Sequence, residues 1–208
     1  GFDDETYQQL LDTFQFCIEL DLSWSGFSVC QIIRDSTNIT EEFDQSYTKI
    51  IDFVPTKTNS SGMLPNAVEF DVRDLFVEGL SETHDKAYLD EIWFAFNLLS
   101  NYVNNKNLKP GGRPDLFVQW SKALLLSHPT NAVISLFLSI GATLLGDETL
   151  AQEQWENTES LLSESGYWVS RFRQYSLDSI MAQRPLNAPE VYHCLENIQD
   201  EYRSLMFG

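Results

Sequence analysis

The stretch AVISLFLSIGATLLGDETLAQEQW, residues 132–155, decides how the rest of the chain is read. Its first part, from Asn131 to Leu145, is apolar and helical in period, and Gly146-Asp147 stops it. A second helix is expected from Glu148 to Ser163. Two helices of this length joined by a tight turn must pack as an antiparallel hairpin. Leu138 takes the large apolar position of the first helix, with the small Ala142 one turn on. On the second helix, Ala151 permits close approach, while Trp155 with Leu138 fills the groove between the helices.

The spacing of Leu138, Ala142, Gly146-Asp147, Ala151 and Trp155 resembles the tetratricopeptide repeat, with Ser139 where glycine is common. Trp120 to Pro129 is similar to the end of a preceding second helix, stopped by proline. The fit is one full unit and half of another, and an ordinary helical bundle with similar turns is the competing reading. The resemblance implies a protein partner docked on a concave face between residues 113 and 183.

The flanking sequence extends the helical pattern. Tyr88, Leu89, Ile92, Trp93, Phe96, Leu99 and Val103 place a helix over Thr83–Val103, ended by Asn104 to Gly112. Pro114 near the first helical position opens a helix over Arg113–Ser127. Further helices are expected over Tyr167–Gln183 and Pro189–Met206.

The N-terminal third has a different rhythm. Tyr7, Leu10, Leu11, Phe14, Cys17 and Ile18 form one face of a helix over Asp4–Leu20. A loop leads to an apolar strand over Gly26–Ile33, and a further helix is expected over Thr40–Phe53. The run from Val54 to Pro65 is rich in Pro, Gly, Ser, Thr and Asn. The organisation expected is a short α/β segment over 1–60, a linker over 61–80 and a helical domain over 81–208: a mainly α protein.

Composition narrows function by exclusion. A net charge of −18 repels phosphate backbones and anionic membranes, which argues against nucleic acid and lipid as partners. The apolar run around Ala132–Leu145 is too short for a membrane span, and a soluble cytoplasmic protein is expected. Cys17, Cys30 and Cys194 are too far apart for a zinc or iron–sulfur set, so no metal ligands are assigned. The sequence lacks HExxH, P-loop, complete dinucleotide and GxSxG patterns, so no catalytic residue is assigned either. Gly111-Gly112-Arg113-Pro114 reads as a plain turn, with an anion site at the following helix as the sharper option. From Tyr167 to Tyr175 two arginines interleave with aromatics; the arginines should pair with carboxylates while the rings pack, or the segment is a docking surface.

The opening residues, Gly1-Phe2-Asp3-Asp4-Glu5-Thr6, followed by Leu11 to Phe16, Glu19-Leu20-Asp21 and Phe27-Ser28-Val29, resemble a later barrel segment of radical SAM enzymes. There the turn reads Gly-aliphatic-Pro-Gly-Glu-Thr; Asp3-Asp4 replace Pro-Gly. Asn97 to Tyr102, Asn107-Leu108 and Leu144 to Asp147 are similar to C-terminal extensions of the family's cobalamin-binding branch. The resemblance implies that residues 1–60 are an α/β barrel remnant and that Gly1 and Glu5 lie near a cofactor. It implies S-adenosylmethionine, an iron–sulfur cluster and, in that branch, cobalamin, all bound by an upstream domain of the same polypeptide. The helical tail would position or dock that barrel without catalysing anything itself. A stand-alone tetratricopeptide-like interaction module is the alternative.

Overall fold

A computed structural model describes residues 6–27 and 86–207 of the chain. Gly1, Glu5, the expected strand beyond Phe27, the helix over 40–53 and the linker over 61–80 lie outside the described residues. Among the described residues the protein is helical, and Gly26 and Phe27 are irregular rather than strand.

The first helix, α1 (Tyr7–Glu19), begins later than the sequence pattern suggests, because Thr6 caps it. The Thr6 side chain accepts from the Gln9 backbone amide, and Gln9 accepts in return from the Thr6 amide. Helix α2 (Lys86–Leu98) runs directly into a π-helical turn, Leu99–Val103, all five of whose residues are buried. A single 3₁₀ turn, Lys106–Leu108, follows.

Gly111 adopts a left-handed φ of +77° in the next turn. A side chain at Gly112 would run into the Lys106 carbonyl, so its place in the loop admits only glycine. The exposed Arg113 pairs with Asp115 two residues on, which accounts for the Gly-Gly-Arg-Pro sequence as a turn.

The helices that follow are α3 (Pro114–Ser127), α4 (Ala132–Leu145) and α5 (Glu148–Glu164). Their ends obey local chemistry. Pro114 occupies the first turn, Asn131 caps α4 through the Ile134 amide, Gly146 closes α4 with φ +73°, and Asp147 caps α5.

The expected helix over 167–183 is two helices, α6 (Gly166–Gln174) and α7 (Leu177–Gln183). Ser176, at φ +56°, breaks the path between them, although neither glycine nor proline marks the place. The last helix is α8 (Ala188–Phe207).

Helix α4 is the axis of the assembly. Ala132 to Ala142 are all buried, and the helix's polar side chains, Ser135, Ser139 and Thr143, recur every four residues as one stripe. Each face has a different neighbour. Toward α3, a side chain at Gly141 would lie 3.0 Å from both Phe117 and Val118, so glycine sets that separation. Toward α5, the Ser139 hydroxyl donates to the Ala151 carbonyl at 2.8 Å and the Ser135 hydroxyl to the Gln154 carbonyl at 2.9 Å. A short hydroxyl reaching a neighbouring helix's backbone requires close helix approach, and it satisfies a polar group that burial would otherwise penalise. On a third side Phe137 meets the Tyr102 ring at 5.2 Å, and α8 packs nearby through Val191, Leu195 and Ile198.

Three tyrosines, Tyr102, Tyr175 and Tyr202, are sunk in this core. Burial raises the pKa of each above the ordinary phenol value; the nearby Glu91 carboxylate adds to the rise at Tyr175. A group whose folded pKa is raised stabilises the fold below its unfolded pKa and loses that contribution as pH rises. The fold should therefore lose stability above about pH 10, by up to about 1.4 kcal/mol per pH unit for each tyrosine. Urea midpoints measured from pH 8 to 11.5 check this; a flat profile across that range would contradict the burial of these rings.

Candidate functional site

A cleft of about 460 Å³ runs along the α4–α5 hairpin, with Arg184, Pro185 and Leu186 also lining it. Its floor carries Ser139, Thr143, Ala151, Gln152 and Trp155. It therefore falls on the hairpin that the sequence singled out. Of the residues expected to shape the hairpin, Leu138, Ala142 and Trp155 are buried, while Ala151 is half-buried at the cleft.

Arg184 gives this cleft its chemistry. It is the C-cap of α7, with φ +44° and ψ 71°, a left-handed conformation costly for a residue with a side chain. It also precedes Pro185, which restricts it further. Its guanidinium lies 5.6 Å from the centre of the Trp155 ring and donates to the Gln152 side-chain oxygen at 2.5 Å. Trp155 is fixed in turn by donating from its indole nitrogen to Glu159 at 2.9 Å. Arg184 is the one cation among the described residues lining the cleft, and its contacts there are a neutral amide and a ring face. Leu186 beside it is three-quarters exposed and offers an apolar shoulder.

Another concavity, of about 300 Å³, lies between α2 and the α3–α4 turn, with Trp24, Trp93, Asn97 and Tyr102 on its walls. The chain after α1 crosses it, held by side chains of Asn97, Asn101 and Asn105. The sequence reading used Asn97 and Asn101 only as marks of family likeness. Their spacing of one helical turn was the available signal for a binding function.

The aromatic and arginine-rich segment from Tyr167 to Tyr175 is mostly interior. Trp168, Arg171, Phe172 and Tyr175 are buried within the chain, which removes them as a docking surface; Arg173 is exposed. Arg171 forms a two-pronged ion pair with Glu91 of α2, with one arm at 2.5 Å, and lies over the Phe94 ring at 4.6 Å. Burial alone would lower the Arg171 pKa, but Glu91 reverses this and leaves it raised, so the guanidinium stays charged.

No group of three or more His, Cys, Asp and Glu side chains suited to a metal ion occurs among the described residues. No described helix is long and apolar enough to cross a membrane. Cys17 and Cys194 are free thiols whose pKa burial raises, so neither is an activated nucleophile. No protein-family model, curated protein or solved structure matches the chain.

Proposed function

We propose that the chain is a helical protein-interaction module that takes a short segment of a partner protein in the cleft along α4 and α5. The observation that carries this reading is Arg184: a cation held in a strained backbone conformation, over a tryptophan face, at the edge of an open cleft. Strain of this kind, of order 1–3 kcal/mol, persists where the surrounding structure imposes it, and it concentrates at ligand sites.

The segment best suited carries a carboxylate for Arg184 and an apolar residue for Leu186 and Pro185. The chain's net charge of −18 does not preclude this. At physiological salt the screening length is about 8 Å, so distant acid is damped. Among the residues lining the cleft Glu148 is the one carboxylate that opposes an acidic ligand, and a direct contact with Arg184 must outweigh it. The role fits the tetratricopeptide-like hairpin. It is also compatible with a helical tail that docks an upstream radical SAM barrel.

Calorimetric titration of the full chain with pooled hexapeptides tests the reading. Three pools are needed: free-acid, C-terminally amidated, and amidated with an internal glutamate. Binding of at least one carboxylate-bearing pool is expected, and its identity separates a chain terminus from an acidic side chain. The Arg184→Gly variant should lose that binding by about tenfold or more, the value of one charge-assisted contact. Its stability should stay within about 1 kcal/mol of the parent, because glycine relieves the left-handed backbone. Equal binding of all pools, or unchanged binding by Arg184→Gly, would count against the reading.

A further inference from the structure

The segment after α1 is held in an unusual way. Ser25 donates its backbone N–H to the Asn101 side-chain oxygen and accepts at its carbonyl from the Asn101 amide, both at 2.6 Å. One turn earlier on the helix, Asn97 treats Phe27 alike: its amide donates to the Phe27 carbonyl at 3.1 Å and its oxygen accepts from the Phe27 N–H at 3.4 Å. One turn later, Asn105 donates to the Ser23 carbonyl at 2.8 Å.

Three asparagines, four residues apart, thus hold the backbone of every second residue of the segment. The dimensions explain the match. Four α-helical residues rise about 6 Å, close to the about 6.6 Å that two residues of extended chain span. The ladder that starts at Asn97 at the end of α2 continues through the π turn to Asn105 just beyond it. An asparagine amide presents the donor and acceptor of a peptide unit, so the ladder mimics a neighbouring β-strand while standing on a helix. It reads main chain, whatever the side chains.

Helix geometry is adapted to this use. Asn101 is central in the π-helical turn Leu99–Val103, a widened form found often at functional sites. The residues between the paired positions supply selectivity. Trp24 stacks on Trp120 at 6.1 Å and meets Tyr102 edge-on at 5.8 Å, beside the 300 Å³ cavity. At the segment's end, Phe27 packs against Phe14 and Phe96.

We infer that the asparagine ladder running from the end of α2 through the π turn to Asn105 is a binding site for an extended peptide with an aromatic residue between small ones, and that Ser23–Phe27 is its resident occupant in cis. This site is separate from the α4–α5 cleft and stands whether or not that cleft binds a partner. A peptide of the same pattern competes with the resident segment. Its apparent affinity for the intact chain is reduced by the fraction of molecules in which the segment is released.

The test uses the full chain and an acetylated, amidated peptide of residues Asp21–Phe27. The Trp24→Ala variant weakens the resident segment and should bind the peptide at least about tenfold more tightly than the parent, since its site is more often vacant. Adding Asn101→Ala to that variant should abolish the gain, and a peptide with alanine in place of its tryptophan should not bind. Hydrogen exchange of α4 amides reports that each variant is folded; Trp24→Phe replaces Trp24→Ala should the latter lose that protection. Peptide binding no tighter to the Trp24 variant than to the parent would overturn the inference. So would equal binding after Asn101→Ala is added.

Discussion

Replacing Arg171 by methionine is expected to cost about 3–5 kcal/mol of folding stability, because it strands the buried Glu91 carboxylate without a counter-charge. Both partners are nearly inaccessible to water, at 0% for the Arg171 side chain and 6% for that of Glu91. Arg171 also donates to the Tyr167 hydroxyl at 3.2 Å and lies over two rings, so methionine keeps some packing while removing all the charge. Glu91→Leu should cost a similar amount by stranding the arginine. The double variant should recover most of the loss, because removing both charges also removes both desolvation penalties. Urea unfolding of the parent, both single variants and the double variant closes a mutant cycle. Single variants costing less than about 1 kcal/mol would place the pair in solvent rather than in the core.

Trp168→Ala should be comparably severe, at about 3–5 kcal/mol. Trp168 is 1% exposed, and its indole nitrogen donates to the Thr130 carbonyl at 2.9 Å. It therefore fastens α6 to the turn that leads into α4. Alanine would leave a cavity at that junction and an unpaired carbonyl. Trp168→Phe, which loses mainly the hydrogen bond, should cost about 1–3 kcal/mol. A thermal unfolding series resolves the two contributions. Equal, small effects of both substitutions would mean that α6 does not dock there.

These two contacts also mark the limit of what could be read from sequence. Boundaries set by local chemistry were legible. Pro114 opens α3, Asn131 caps α4, Gly146 ends it in the left-handed region and Asp147 starts α5. Each acts on its own few residues; Pro114 and the Gly146 stop were read from them, while the capping by Asn131 and Asp147 was not.

The break between α6 and α7 was not legible, because the residue with positive φ there is Ser176. Tertiary packing holds it: Tyr175 and Leu177 on either side are fully buried. The π turn was hidden for a related reason, since one inserted residue barely disturbs the apolar period around Leu99 and Val103. That an arginine between Tyr167 and Tyr175 should pair with a carboxylate holds for Arg171. The partner, Glu91, is 80 positions away and could not be chosen from 31 acidic residues.

The candidate sites divide in the same way. The α4–α5 hairpin that floors the cleft was expected from residues 132–155, but Arg184 fell in the gap between two expected helices. Its role arises from a backbone conformation that no local pattern announces. Gly1 and Glu5, the positions that the family resemblance implied, lie outside the described residues.

The central functional claim is that a partner's carboxylate enters the cleft beside α4 and α5. Chemical-shift mapping of the full chain with the best carboxylate-bearing peptide tests it most directly. The account predicts shifts at the Trp155 indole, the Arg184 guanidinium and the Gln152 side-chain amide, with resonances of Leu136 and Phe137 on the covered side of α4 unchanged. Shifts confined to other surfaces, or none at peptide saturation, would contradict it.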